Sequence, residues 1–335
     1  MSCNLPLASR DLPKVSVIIV AHNCLNYLSQ CLRSLIKIDY PDFEIIYVDN
    51  GSTDDSVQYF KTNSRTEDRV LKLDHNYGFT RANNMGAQMA KGEYLAFLNV
   101  DTAVDTSWLV KLVIELEKDG NIGAAQPKLL QMNNQKIDSL GGFITPYGTV
   151  SSKGYGLPDC HVAGAHNIFY SKGAAMITRR KLWEAIGGFS PVFHLYYQET
   201  DYCWRLWSMG YRVVCVTDST VWHVGGVVVD RLHAGLVKYY EAKERLALLL
   251  KNYSICRLLK YVPVTLCLQM ANAARFLLRD DPVGAANILK GTISAFAHLR
   301  AIWRSRRDFS ADKVSEDAIL KKLMVPQIIN SIRAE

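Results

Sequence analysis

The chain has 335 residues, of which 49% are hydrophobic and 21% charged, a balance that excludes a disordered or fibrous protein. Its length accommodates one large α/β domain with an appendage, or two domains. The net charge of +7 is uneven: residues 231–335 hold 18 Lys and Arg against 9 Asp and Glu, and residues 1–230 hold 21 against 23.

Residues 1–13 read as a tail, and without a basic start followed by an apolar core they predict no signal peptide. Residues 15–20 form an apolar run suited to a strand buried on both faces. Ala21-His22-Asn23 ends it, and Asn26 is read as the cap of a helix over 27–36, with Leu28, Cys31, Leu32 and Leu35 at helical spacing. Pro41-Asp42 breaks the chain before a second strand at 43–48. The polar loop 49–55 then caps another helix. A short third strand at 70–73, a loop at 74–81 and a helix at 81–90 complete a βαβ pattern, which predicts a parallel sheet.

Residues 93–98 form the next buried run, and it stops abruptly at Asn99-Val100-Asp101. Two hard oxygen ligands spaced two apart at a strand tip suit Mg²⁺ or Mn²⁺ carrying phosphates; an Asx turn closing the strand explains the same residues. A helix at 108–117 and a strand at 122–127 follow. Residues 131–165 read as loops and short hairpin strands on an acceptor-side surface. Then come a strand at 173–178, a helix at 180–186, a turn at Gly187-Gly188, and Glu199-Thr200-Asp201 opening a helix over 202–209. Two more strands are read at 213–216 and 221–223.

Beyond residue 230 the character changes. A helix is read at 236–250. The charge-free stretch 261–274 is shorter than the roughly 20 residues of a bilayer span and suits an interfacial or buried helix. Asp281-Pro282 starts a helix with Leu289, Ile293, Phe296 and Trp303 on one stripe, accompanied by Lys290, Arg300, Arg304, Arg306 and Arg307. Two readings fit it: a helix lying in a membrane surface, or one packed on the body with a solvated basic face. The basic tail region points to an anionic surface, and no nucleic-acid module or aromatic–basic interleaving supports nucleic acid. The eight scattered cysteines, none in a C-x-x-C, predict reduced thiols in a cytosolic protein.

No G-x-G-x-x-G follows the first strand, and no P-loop or serine nucleophile elbow occurs. What stands out is a set of polar residues after strands: Asp49, Asn76, Asp101, Glu199, Asp201 and His223. Each alone has a structural explanation as a cap, a turn or a core histidine. Their shared position at strand ends predicts one common site.

The motifs that carry a resemblance are Val17-Ile18-Ile19-Val20-Ala21-His22-Asn23, Val48-Asp49-Asn50-Gly51-Ser52-Thr53-Asp54, Asn76-Tyr77-Gly78-Phe79 with Asn83-Asn84-Met85-Gly86, and Phe97-Leu98-Asn99-Val100-Asp101. Further on are Gly173-Ala174-Ala175-Met176, Gly187-Gly188-Phe189, Glu199-Thr200-Asp201-Tyr202-Cys203-Trp204-Arg205 and His223-Val224-Gly225-Gly226. In this order, over roughly residues 14–250, they resemble inverting glycosyltransferases of family 2. The likeness is to the branch that includes rhamnosyltransferases and galactofuranosyltransferases.

That resemblance implies an α/β GT-A nucleotide-diphospho-sugar transferase fold, a mostly parallel central sheet flanked by helices, over 14–228. Residues 229–335 would form a basic C-terminal helical extension. It implies transfer of a sugar from a nucleotide-diphosphate sugar to a hydroxyl of a glycan or polyprenyl-linked acceptor. Ala21, His22, Asn23, Asp49, Asn76, Gly78, Arg81, Asn84, Asn99, Val100 and Asp101 would bind the donor, with Asp49 accepting from the base. Asp101 and His223 would hold Mg²⁺ or Mn²⁺, and Glu199 or Asp201 would be the catalytic base, Glu199 being favoured. Two positions depart from the family pattern: Asn99 replaces the first carboxylate of a D-x-D, and Gln198 precedes Glu199 where an acidic pair is usual. The expected setting is the cytoplasmic face of the cell membrane, with surface-polysaccharide synthesis as the task. The alternatives are a soluble acceptor with the C-terminal helices forming a homodimer interface, or a sugar-nucleotide-binding scaffold with weak turnover.

Overall fold

The computed structural model of the protein describes residues 12–159, 164–225, 234–307 and 318–319. The expected boundary at 228/229 and most of the tail at 1–13 lie outside these residues.

Strands β1 (Val15–Ala21), β2 (Phe43–Asp49), β3 (Arg69–Lys72) and β4 (Tyr94–Leu98) run parallel in the spatial order β3-β2-β1-β4. Helices α1 (Leu25–Leu35), α2 (Ser56–Asn63) and α3 (Phe79–Met89) make the crossovers between them. The apolar runs of β1, β2 and β4 lack alternation because both faces are covered. In β1, Val15, Val17 and Ile19 pack on one side with Leu28 and Leu32 of α1, and Ile18 packs on the other with Ile46 and Val48. Ala21 pairs with Asp49 in the β1/β2 register, so the carboxyl ends of these strands lie side by side at one edge of the sheet.

The sheet continues through β11 (Ala175–Arg179), antiparallel to both β4 and β6 (Ile122–Gln131), and on to β12 (Arg212–His223) and β10 (Ala165–Asn167). β5 (Thr102–Val104) pairs with β12, and β7 (Ile137–Ser139) with β6. β8 (Gly142–Ile144) and β9 (Val150–Ser152) form a separate hairpin, in keeping with the short strands expected at 131–165. Helices α4 (Trp108–Lys118), α5 (Arg180–Ile186) and α6 (Gln198–Ser208) complete the body. The fold is a GT-A-like mixed α/β sheet flanked by helices.

Three local expectations change. Asn26 lies inside α1 rather than capping it; Asp54 Oδ2 reaches across to accept the Leu25 N–H at 3.1 Å. The two strands read at 213–216 and 221–223 are one, β12, with a register shift between Val216 and Thr220 that the run of polar residues disguises. The helix starting at Asp281-Pro282 breaks at His298, giving α9 (Pro282–Ala297) and α10 (Leu299–Arg307), so Trp303 does not share a stripe with Leu289 and Ile293.

Before these come α7 (Ala234–Asn252) and α8 (Ile255–Leu277). α8 buries Leu258, Thr265, Gln269 and Ala273 along one face. Gln269 is satisfied there, donating to Ala242 O at 2.9 Å and accepting from Thr292 Oγ1 at 2.7 Å, which ties α8 to α7 and α9. Among the described residues, no helix is long and apolar enough to cross a membrane.

Candidate functional site

The carboxyl ends of β1 and β4 open onto a cavity of about 580 Å³. Of the residues expected to bind the donor, Ala21, His22, Asn23, Asn76, Gly78, Asn99, Val100 and Asp101 line it. Asp49, Arg81 and Asn84 do not. Asp49 is fully buried at the tip of β2, where Oδ1 accepts the Ser52 N–H at 3.1 Å and Oδ2 has no hydrogen-bond partner. Arg81 is exposed, with its guanidinium 4.2 Å from the centre of the Tyr77 ring. Asn84 is turned inward, donating to Phe189 O at 2.8 Å and accepting the Phe189 N–H at 3.0 Å. These bonds fix the Gly187-Gly188-Phe189 turn against α3.

A polar network holds the cavity floor. Asn50 donates to Asn76 Oδ1 at 2.9 Å and accepts the Tyr77 N–H at 2.9 Å, and His22 Nδ1 lies 3.0 Å from Asn50 O. Asn23, in the left-handed region with φ 53°, accepts the Thr53 N–H at 2.7 Å. Gly78 must be glycine on two counts. Its φ is +83°, and a Cβ there would sit 2.3 Å from the His194 ring. His194 stacks on Tyr240 of α7 with ring centres 5.0 Å apart and planes 13° from parallel. Together with Leu195 and Leu236 this pair forms a cavity wall that the sequence reading missed. Tyr240 comes from the C-terminal region, far from any strand end, and carried no signal beyond helical periodicity.

At the β4 tip, Asn99 Oδ1 is buried without a partner, and Asp101 is 7% exposed. His223, at the end of β12, turns Nε2 toward Asp101 Oδ2 at 3.4 Å. Its Nδ1 lies 3.0 Å from Oδ2 of Asp138, on β7. Burial disfavours the imidazolium, but Asp101 and Asp138 outweigh it and raise the His223 pKa to about 9. Asp101 and His223 fit a divalent cation: their facing atoms are spaced much as two neighbouring ligands bonded at roughly 2.0–2.2 Å. The orphan Asn99 Oδ1 is a further neutral oxygen at the same tip. No group of three His, Cys, Asp or Glu side chains suited to a cation occurs among the described residues. Such a set matches a cation that takes its remaining ligands from phosphates and water.

Glu199 and Asp201 open α6 but face different surroundings. Burial raises the Glu199 pKa to about 7, against the opposing pull of the backbone N–H groups of Glu199 and Gly173 and of Lys172. Its Oε2 has no hydrogen-bond partner. Asp201 is fully buried, and Oδ1 accepts from Lys251 Nζ at 2.6 Å and from Asn252 Nδ2 at 3.0 Å. Arg205 Nε lies 2.9 Å from Oδ2, near enough to pair charges although not aligned as a hydrogen bond. Burial pushes the Asp201 carboxyl up, but Lys251 and Arg205 prevail and hold it below the usual range. One carboxylate is poised and unpaired; the other is locked to α7.

The entry to α6 is strained and clamped. Tyr197 sits at φ 63°, a conformation that a bulky residue adopts only under constraint. The constraint comes from Glu244 of α7, which accepts the N–H groups of His194 and Tyr196 at 2.7 Å each and of Leu195 at 3.4 Å.

Solved structures similar to this chain share its fold. They include GalNAc-T7 with UDP, GalNAc and Mn²⁺ (TM-score 0.57, 20% identity, covering 77% of this chain and 55% of that one). Another is the Pyrobaculum calidifontis mannosyltransferase PcManGT with GDP-Man and Mn²⁺ (0.54, 17%, 90% and 86%). A third is S. aureus TarS 1–349 with UDP-GlcNAc (0.56, 15%, 92% and 92%). Among curated proteins, the O-antigen biosynthesis protein RfbC of Myxococcus xanthus is 30% identical over 224 residues, 64% of this chain and 17% of RfbC. The chondroitin synthase of Escherichia coli is 27% identical over 150 residues, 44% of this chain and 20% of the synthase. The chain thus spans at most about a fifth of either relative. The profile of Glycosyl transferase family 2 matches residues 16–186, from the first strand of the sheet to the end of α5, and by that match the chain belongs to glycosyl transferase family 2.

Proposed function

We propose that this protein is a metal-dependent inverting glycosyltransferase that moves a hexosyl or deoxyhexosyl group from a nucleotide-diphosphate sugar to an acceptor hydroxyl. The observation that carries the reading is a pair of unsatisfied buried acceptors at one sheet edge, Asn99 Oδ1 at the β4 tip and Asp49 Oδ2 at the β2 tip, in a chain that also holds the Glu199 carboxyl near neutrality. Asp49 Oδ2, the acceptor left over beneath the strand tips, would accept from an N–H of the nucleobase once the loop that its Ser52 bond holds shifts aside. Asp101 and His223 would hold Mg²⁺ or Mn²⁺, which would supply the positive charge that a departing diphosphate requires. Glu199 takes the proton of the acceptor hydroxyl as it attacks the anomeric carbon, and no covalent enzyme intermediate is formed. Asp201 orients α6 rather than moving protons, since Oδ1 is held by Lys251 and Asn252 and Oδ2 lies against the charge of Arg205. The motif set favours the branch that includes rhamnosyltransferases and galactofuranosyltransferases, and the RfbC and chondroitin synthase likenesses favour polysaccharide assembly as the task.

The acceptor is lipid-linked and the protein works on the inner face of the cell membrane. The C-terminal helices support this: Leu259, Leu277, Leu278, Val283 and Ile293 are all more than half exposed, with Lys260, Arg275, Arg279 and Lys290 among them. The competing use of that surface is a homodimer serving a soluble acceptor, which light scattering would detect.

Calorimetric titration of UDP, GDP and dTDP with and without Mn²⁺ tests the donor site. One diphosphate should bind tightly only with the metal; binding of none, or binding indifferent to Mn²⁺, would overturn the reading.

A further inference from the structure

We infer that Asp138 is a positioning residue for the cation site, acting through His223; the inference rests on the metal-dependent reading above. Nothing in the pattern of the sequence marks Asp138, which sits in a three-residue strand within the loop-rich stretch 131–165. Yet its side chain is only 7% exposed and engaged on both sides. Oδ2 meets His223 Nδ1 at 3.0 Å, and Lys172 Nζ donates to Oδ1 and Oδ2 at 2.7 and 2.8 Å.

Two consequences follow from elementary chemistry. A carboxylate at Nδ1 keeps a proton on that nitrogen, so that the lone pair of a neutral His223 stands on Nε2, the atom facing Asp101. The same bond fixes the ring plane, sparing the ligand the cost of being ordered when the cation arrives. Lys172 in turn holds Asp138 in place and balances its charge, which a buried lone carboxylate would otherwise oppose. Lys172 is itself anchored, its N–H donating to Gln126 Oε1 at 2.6 Å. Its neighbour Gly173 lies against the Glu199 carboxyl, and its N–H helps pull that group's pKa down. The Lys172-Gly173 turn thus supports His223 on one side and the candidate base on the other.

Mn²⁺ affinity, read from the electron paramagnetic resonance signal of free Mn²⁺ titrated with protein, tests this without any sugar donor. Asp138→Asn should weaken Mn²⁺ binding roughly 10- to 100-fold, the usual effect of removing a carboxylate behind a ligating histidine. In a His223→Ala background the same substitution should change affinity little, because Asp138 has no route to the cation except through His223. Circular dichroism and thermal melting select variants that fold, and Lys172→Met provides a second, independent perturbation expected to weaken Mn²⁺ binding less. Wild-type affinity in Asp138→Asn, or an equal loss in both backgrounds, overturns the inference and leaves the metal-dependent reading standing. Absence of Mn²⁺ binding by the unaltered protein overturns both.

Discussion

At the scale of single residues, the surroundings of Asp101, Glu199 and Asp201 give each carboxylate a different role. Asp101→Ala should abolish sugar transfer, while Asn99→Ala should only weaken it, since Asn99 offers a neutral oxygen beside a charged one; initial rates with saturating donor and Mn²⁺ check both. Glu199→Gln should lower turnover by roughly 10²–10⁴, the worth of a positioned general base, with the fold intact. The base works ionised, and burial raises its pKa to about 7, so kcat/KM should rise with pH and level off above about 7. Loss of that limb in Glu199→Gln, but not in Asp201→Asn, is the expected signature. The sequence placed Asp49, Asn76, Asp101 and His223 at or just after strands; Asn76 and Asp101 line the cavity and His223 faces Asp101, whereas Glu199 follows helix α5 and a turn rather than a strand. Asp138, Lys172 and Glu244 were not legible. Their roles arise from contacts 85, 34 and 50 residues away in sequence, which no local pattern encodes.

At the scale of elements, α7 is the brace of the site. It locks α6 through Lys251 and Asn252 on Asp201, and clamps residues 194–196 through Glu244. Asp201→Asn removes the buried carboxylate that Lys251 and Arg205 face and should cost about 3–5 kcal/mol in urea unfolding. Glu244 carries a pKa of about 7, raised by burial against the pull of the His194, Tyr196 and Leu195 N–H groups. The folded chain therefore holds this proton more tightly than the unfolded chain does. The stabilisation is full below about 4.5, the ordinary value, and is lost as pH rises through about 7. The unaltered protein should thus lose stability from about pH 4.5 to 7 more steeply than Glu244→Gln, as thermal melts across that range would reveal. The helical periodicity of α7 was plain in the sequence, but its brace function was not, because periodicity reports which face is buried and not what it is buried against. The same limit explains β12, where a register shift hid one strand as two.

At the scale of the whole molecule, a family 2 sheet presents its strand tips to a cavity, and the C-terminal helices close one wall of it with Leu236 and Tyr240. Those helices also carry the apolar and basic surface. Flotation with anionic vesicles should recover the full chain with the lipid, and recovery should fall as salt is raised, since the basic residues act through screened charge. Unchanged partitioning into the protein pellet, with or without anionic lipid, would count against the membrane reading. The composition already pointed to this asymmetry, whereas the break of the last apolar stripe at His298 required the fold. The central claim is that Asp49, Asp101, His223 and Glu199 together form one metal-dependent sugar-transfer site. Its most direct test is nucleoside diphosphate release across a panel of UDP-, GDP- and dTDP-sugars with Mn²⁺ or Mg²⁺. Release from one donor class, abolished by EDTA and by Asp101→Ala, is the predicted result. Release that survives both, or none from any donor with acceptor extract present, would contradict the account.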